Sequence, residues 1–238
     1  MRAAAIVPAF DVAPRVGEVV AGLRRIWPEP EAIFVVDDGS RDDTAAEAAR
    51  AGAEVVSHPV NRGKGCALVT GLELARSRGF DVAVTIDGDG QHPPDEALAM
   101  HERCGDPDAF VLGVRDMAGA GAPRANQLSN AFSNVVLSGF TGVRLADTQC
   151  GLRRYPIAAA LGLGARESGY GYEAEILIRA AAADLPIVQV PIAVIYPPEE
   201  EHISHFHSVR DPTRIVLRVV RTVASTRLAQ LRRRLDGG

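Results

Sequence analysis

The sequence predicts an α/β fold with a mostly parallel central sheet flanked by helices. Three observations carry that prediction. Short β-rich runs alternate with helical stretches through the first half, polar clusters fall at the ends of those runs, and 238 residues suffice for one sheet with its covering helices. At this size folding buries roughly 70–75% of the unfolded chain's surface, so the core needs no disulfide or metal staple.

The elements follow in order. Residues 3–9 read as a strand that begins at once, and residues 14–26 as a helix with Pro14 in its first turn. Residues 31–38 have the pattern of a buried strand, residues 42–51 of a short alanine-rich helix, and residues 53–57 of a further strand. A helix over 64–78, a strand over 81–87, a helix over 93–104 and a strand over 108–114 complete the alternation. This order argues for parallel strands joined by crossovers. The second half is less regular: helix 125–138, strand 150–155, helix 172–184 and strand 187–196. Asp211-Pro212 then caps a helix that runs to about residue 234. No internal repeat or low-complexity linker appears, so residues 1–211 form one domain and residues 212–238 a basic amphipathic helix.

Composition narrows the class. Hydrophobic residues make up 47% and charged residues 24%, as in a soluble globular protein. Three widely spaced cysteines, Cys66, Cys104 and Cys150, exclude a disulfide framework or zinc knuckle and fit a reducing cytosol. The first residues resemble a strand more than a signal peptide, and the apolar stretch 187–196 is about half the length of a spanning helix. Residues 212–238 hold seven arginines against one acid, so a formal charge of −4 leaves −10 on residues 1–211 once the tail's +6 is removed. An acidic body with a basic tail marks a local attachment surface, not a protein that coats nucleic acid.

Ligands of open α/β sheets bind beyond the carboxyl ends of the strands. Three polar clusters fall there: Pro8-Ala9-Phe10-Asp11, Asp37-Asp38-Gly39-Ser40 and Asp87-Gly88-Asp89-Gly90-Gln91-His92. Two carboxylates at i and i+2 around a glycine approach one hard divalent cation without obstruction, and Gln91 adds a neutral oxygen. A solvated Gly-Asp turn is the competing reading. An EF-hand is disfavoured because the later ligand positions are missing. At Asp37-Asp38-Gly39-Ser40, Ser40 or Asp42 caps the next helix, while a carboxylate at that edge suits a nucleobase N–H. Asn61-Arg62-Gly63-Lys64-Gly65 is not a phosphate loop, since the upstream glycine is absent and Cys66 stands where Ser or Thr would hold magnesium.

Together these clusters resemble family 2 glycosyltransferases, especially the dolichyl- or polyprenyl-phosphate mannosyl- and glucosyltransferases. The matching pieces are Ile6-Val7-Pro8-Ala9-Phe10, Val36-Asp37-Asp38-Gly39-Ser40, Asn61-Arg62-Gly63-Lys64-Gly65 and Asp87-Gly88-Asp89-Gly90-Gln91-His92-Pro93-Pro94. Downstream come Gly113-Val114-Arg115, Asp147-Thr148-Gln149-Cys150-Gly151-Leu152-Arg153 and Tyr172-Glu173-Ala174-Glu175-Ile176-Leu177. The resemblance implies a GT-A type nucleotide-sugar fold and an inverting, metal-dependent transfer of mannose or glucose from a GDP- or UDP-hexose to a lipid phosphate. A hydroxyl acceptor and a non-catalytic nucleotide-sugar binder are the alternatives.

The resemblance further implies Pro8, Phe10, Val36 and Asp38 around the nucleoside. It gives Asp87, Asp89 and Gln91, with Gly88, the Mg²⁺ or Mn²⁺ and diphosphate, and it gives Arg115 phosphate or sugar. Arg124, Ser129 and Asn130 belong to a helix whose Asn126, Asn130 and Asn134 share one face, solvated or substrate-facing. A lipid phosphate is already anionic and needs no base, so the chemical burden falls on Asp89, the metal and Arg115. Asp147 is the candidate base for a hydroxyl acceptor, or else orients its loop.

Two departures stand out. Phe10-Asp11-Val12 replaces the family's Tyr-Asn-Glu, and Glu199-Glu200-Glu201-His202-Ile203-Ser204-His205-Phe206-His207 replaces a basic loop. That loop is expected to close over the diphosphate, with His205, His207 or Arg210 supplying positive charge; nothing supports zinc there. In the tail, Leu217, Val220, Ala224, Leu228, Leu231 and Leu235 fall on one stripe beside Arg214, Arg218, Arg221 and Arg232. The stripe packs on the body or lies in an anionic membrane surface; the protein is expected in the cytoplasm, and in the second case at the cytoplasmic face of the membrane, against lipid or a membrane-protein partner.

Overall fold

A computed structural model describes residues 1–196 of the chain. The expectations for His205, His207, Arg210, the 199–207 loop, the boundary at 211 and the 212–238 helix all lie outside the described residues.

The described part is a seven-stranded sheet with seven helices. Its first half matches the expected alternation closely: β1 (Ala3–Ala9), α1 (Ala13–Ile26), β2 (Ile33–Asp37), α2 (Thr44–Arg50), β3 (Glu54–Ser57), α3 (Lys64–Ser77), β4 (Val82–Thr85), α4 (Pro94–Glu102) and β5 (Phe110–Arg115). The boundaries have local causes. Trp27 is held extended (ψ 133°) by the proline that follows it, which ends α1, and its indole N–H donates to the Ala3 carbonyl at 3.0 Å. A single 3-10 turn over Pro30–Ala32 takes the first residues expected of β2.

Strand order is β3-β2-β1-β4-β6-β5-β7, where β6 is Arg153–Pro156 and β7 is Ile187–Ile192. β1 pairs in parallel with β2 and β4, so it lies mid-sheet, and its last six residues are all buried. An all-aliphatic run suits a strand covered on both faces. On one of them α3 comes so close that a Cβ on Gly71 would lie 2.5 Å from Ile6.

The departure from parallel pairing is β6, which runs antiparallel to both β4 and β5. After β5 the chain forms α5 (Arg124–Thr141), which ends on Gly142 in the left-handed conformation (φ 71°). Bonds from α5 to Thr148 keep the following loop at the carboxyl end of the sheet, so the chain re-enters from that end and runs downward. This inversion stacks the 147–150 loop over the edge where β4 presents Asp87. Helices α6 (Ile157–Gly162) and α7 (Gly171–Ala182) complete the fold; α6 was not expected. The expected strand over 187–196 stops at Ile192. No helix among the described residues is long and apolar enough to cross a membrane.

Candidate active site

The three strand-end clusters converge on one cavity of about 480 Å³. Its lining includes Pro8 and Phe10 of the first cluster, Asp38 of the second, and Asp87, Gly88, Asp89 and Gln91 of the third, together with Arg115, Asn126, Ser133 and Tyr196. Of the expected site residues within the described part, Val36, Arg124, Ser129, Asn130 and Asp147 are not in the lining. Val36 is fully buried in β2, facing Gly71 of α3. A strand side chain one residue before the carboxyl end points into the core, which its alternation with Asp37 did not reveal. Arg124 is exposed in the first turn of α5.

Asp38 is already committed to the protein. Its carboxylate accepts from the backbone N–H groups of Arg62 (3.0 Å) and Gly63 (2.7 Å) and pairs with His58 Nδ1 at 2.6 Å. Asn61 and Gly63, in the loop that this carboxylate pins, line the cavity with it. The N-cap of α2 is Asp43, not the expected Ser40 or Asp42, and its side chain makes no capping bond; Asp42, one residue earlier, accepts from Thr44 N–H at 3.0 Å and from Ala13 N–H at 3.1 Å, joining the starts of α1 and α2. Asp11, in the departing Phe10-Asp11-Val12 piece, has φ 49° and binds Arg41 at 2.6 Å.

The centre of the site is a buried ion cluster. Lys64, the first residue of α3, lies 2.8 Å from Asp87 Oδ1 and 3.3 Å from Glu173 Oε1 of α7. Burial pushes the Asp87 carboxyl up, but the Lys64 ammonium outweighs it and holds the group below the ordinary carboxylate range. Asp89 has no such partner among the described residues. Burial, reinforced by the Asp87 charge, pushes it up to about 6. Asp89 Oδ1 accepts from Gln91 N–H at 3.0 Å, closing the loop on itself. Beneath it, a Cβ on Gly151 would sit 2.1 Å from Asp87 Oδ2, so glycine at that position lets β6 approach the carboxylate.

Among the described residues no three His, Cys, Asp or Glu side chains gather as a metal cage. The donor set instead fits a hard dication with an unfinished shell, which takes one or two carboxylates and completes itself with phosphate and water. The raised Asp89 marks negative charge that a cation would relieve.

Arg115 is held as a fixed fork. Its Nε and Nη2 donate to Asp147 Oδ2 (2.7 Å) and Oδ1 (3.0 Å), and its backbone N–H also donates to Oδ2 at 3.2 Å. Asp147, with 1% of its surface exposed, is wholly spent on this fork and on the Gln149 N–H. That favours the orienting role over the base. The asparagine stripe of α5 is not solvated: Asn126 lines the cavity, Asn130 Nδ2 donates to Met117 Sδ at 3.2 Å, and Asn134 bonds Ala146 and Thr148. Ser129 Oγ accepts from Gln149 Nε2 at 3.1 Å. Ser129 and Asn130 thus support the lining from behind.

Two neighbours of the cluster are inert. Burial lowers His92 to about 4 and raises the Cys150 thiol to about 12, leaving both neutral at pH 7. Sequence reasoning missed Lys64, Glu173 and Tyr196. The signal for Lys64 was present, a lysine opening a helix after a glycine, but it was weighed only against a phosphate-loop pattern. Glu173 lay in a noted motif piece without a role.

This geometry accords with the comparisons. Residues 4–158 match the model of glycosyl transferase family 2, more than half of the chain. The chain is 31% identical over 206 residues to an undecaprenyl-phosphate mannosyltransferase of Micrococcus luteus, covering 82% of this chain and 84% of that one. It is 31% identical over 215 residues to a UDP-N-acetylglucosamine–dolichyl-phosphate N-acetylglucosaminyltransferase of Methanococcus voltae, covering 80% and 84%. The fold is similar to that of glucosyl-3-phosphoglycerate synthase of Mycobacterium tuberculosis, with a TM-score of 0.72 at 22% identity over 94% of this chain and 80% of that one. The fold and site define a GT-A type glycosyltransferase. The chain belongs to glycosyl transferase family 2.

Proposed function

We propose that this glycosyltransferase moves a hexose from a nucleoside-diphosphate sugar to a polyprenyl- or dolichyl-type lipid phosphate, using Mg²⁺ or Mn²⁺ and working at a membrane surface. The observation that carries the lipid acceptor is the reversed amphipathicity of α5. Its inner face is polar, with Ser129, Asn130 and Ser133 buried, while Leu128, Phe132 and Val135 are 72%, 53% and 74% exposed. These three lie on one face at i, i+4 and i+7. A soluble helix buries its apolar stripe, so three large apolar side chains in a row outside suit a lipid neighbour. The same helix lines the cavity through Asn126, Ser133 and Leu137, which brings an apolar surface beside the reaction centre. The lipid-phosphate relatives from Micrococcus luteus and Methanococcus voltae support the same acceptor class.

In this reading Pro8, Phe10 and the 61–63 loop hold the nucleoside. Asp87, Asp89 and Gln91 would hold the cation, which would neutralise charge on the departing diphosphate. Structures of the Mycobacterium tuberculosis synthase with Mg²⁺ or Mn²⁺ and UDP support a dication in this fold. Lys64 keeps Asp87 ionised and in place. Arg115, oriented by Asp147, offers a fixed positive charge where two anions meet. The acceptor phosphate oxygen forms its bond to the anomeric carbon as the bond to the diphosphate breaks, inverting the centre. No side chain need take a proton, which agrees with an Asp147 spent on Arg115.

The test is to incubate the full chain with labelled GDP-mannose or UDP-glucose, Mn²⁺ and vesicles holding undecaprenyl phosphate. A lipid-linked product that vanishes with chelator is expected. Transfer only to hydroxyl acceptors, or binding without turnover, overturns the lipid-phosphate reading.

A further inference from the structure

Tyr196 stands four residues beyond β7, at the edge of the cavity that it helps to line. The Ile195 N–H donates to the Gln91 carbonyl at 2.8 Å, so the backbone just before Tyr196 is tied to the carboxylate loop. The phenol oxygen is covered from solvent, yet it has no hydrogen-bond partner among the described residues. A buried polar group left without a partner costs roughly 1–3 kcal/mol. Such groups are rare, and in a cavity they mark the place of a ligand atom.

The surroundings say which ligand atom. Burial raises the phenol's pKa, and the nearby Arg115 charge offsets that only in part, so the hydroxyl keeps its proton at pH 7 and donates. Arg115 has spent Nε and Nη2 on Asp147. Its Nη1 makes no hydrogen bond among the described residues, though the residue lines the cavity. A neutral O–H donor and an uncommitted N–H donor therefore line the same cavity as the carboxylate loop and the dication proposed for it. Donors and a cation around one space are complementary to an anionic oxygen.

We infer that the Tyr196 hydroxyl donates a hydrogen bond to a phosphate oxygen lodged between Arg115 and the 87–91 loop. The inference rests on the proposed glycosyl transfer only in taking the substrates to carry phosphate. Two substrates of that reaction supply such an oxygen, the donor diphosphate and the lipid phosphate, and the same variant distinguishes them.

Tyr196→Phe in the full chain removes only the oxygen. Its dissociation constants for GDP and for UDP with Mn²⁺, measured by calorimetry, read the donor side; the KM for undecaprenyl phosphate in vesicles reads the acceptor side. A hydrogen bond to a charged group is worth about tenfold or more in affinity, so one of the two constants is expected to rise by about that factor. The melting temperature without nucleotide is expected to hold or rise, because the variant removes an unpaired buried hydroxyl. Both constants within twofold of the parent overturn the inference, as does a fall in melting temperature with both affinities intact. Should the parent give no lipid-linked product, the lipid-acceptor proposal fails while nucleotide binding still decides the role of Tyr196.

Discussion

The Lys64 ammonium bridges Asp87 and Glu173 at 2.8 and 3.3 Å, so one carboxylate of the 87–91 loop already has a cation of its own. Its neighbour Asp89 has none among the described residues. The two acids of a single Asp-Gly-Asp piece therefore have opposite electrostatic characters, one held below the ordinary carboxylate range and the other pushed above it.

Replacing Lys64 by Met removes the ammonium between Asp87 and Glu173, leaving Glu173 only the more distant Arg153 Nε at 3.8 Å and Asp87 no ion pair among the described residues. Breaking one partner of a buried pair costs about 3–5 kcal/mol, and partial exposure of Asp87 puts this case near the lower end. Urea unfolding is expected to show a midpoint well below that of the parent. An unchanged midpoint means that water, not Lys64, compensates the two acids.

Asp89→Asn is expected to raise the stability of the metal-free protein while abolishing transfer. The folded pKa, about 6, lies above the usual carboxylate value, so the folded state binds more protons than the unfolded state between those limits. Stability thus falls as pH rises through that window and stays lower above it. Asparagine carries no charge to desolvate. Denaturation at pH 8 with chelator should show a gain of about 1 kcal/mol, after discounting for water at this half-buried site. The gain should shrink towards pH 4.

Gly151→Ala tests the approach of β6 to the site. The new methyl would overlap Asp87 Oδ2, and displacing that carboxylate is the least disruptive relief. A misplacement on the order of 1 Å costs about 100-fold in rate. Activity should drop by that order with the circular dichroism spectrum unchanged. Full activity would show that Asp87 tolerates the shift.

Leu128, Phe132 and Val135 changed together to serine should weaken sedimentation with vesicles. Exposed positions tolerate polar residues within about 0.5 kcal/mol each, so folding and nucleotide binding should persist. Undiminished vesicle binding by the triple variant would assign membrane contact elsewhere in the chain.

Much of the architecture was legible in local pattern. Aliphatic runs of four to seven residues, broken by Pro, Gly and Asp, gave away β1 to β5 and the helices between them to within a few residues. The strand-end clusters were legible for the same reason, since a strand's carboxyl end is visible in its own sequence. The direction of β6 was not. It depends on hydrogen bonds that Thr148 donates to Asn134 and Ser133, 14 and 15 residues away. Nor was the outer face of α5: the Asn126, Asn130 and Asn134 stripe is written in the sequence, but which side of the helix meets solvent is set by the elements that pack against it.

By itself the sequence determined the alternating α/β order, the three acidic strand ends and the carboxylate pair at Asp87 and Asp89. Each is written in neighbouring residues, where propensity and periodicity act. Only the tertiary structure decided what those acids meet: Asp38 pairs with His58 and the 61–63 loop, Asp147 with Arg115 and Asp87 with Lys64, while Asp89 has no ion pair among the described residues. A carboxylate's chemistry depends on the charge and donors within a few ångströms, and here those partners are mostly brought in from distant parts of the chain.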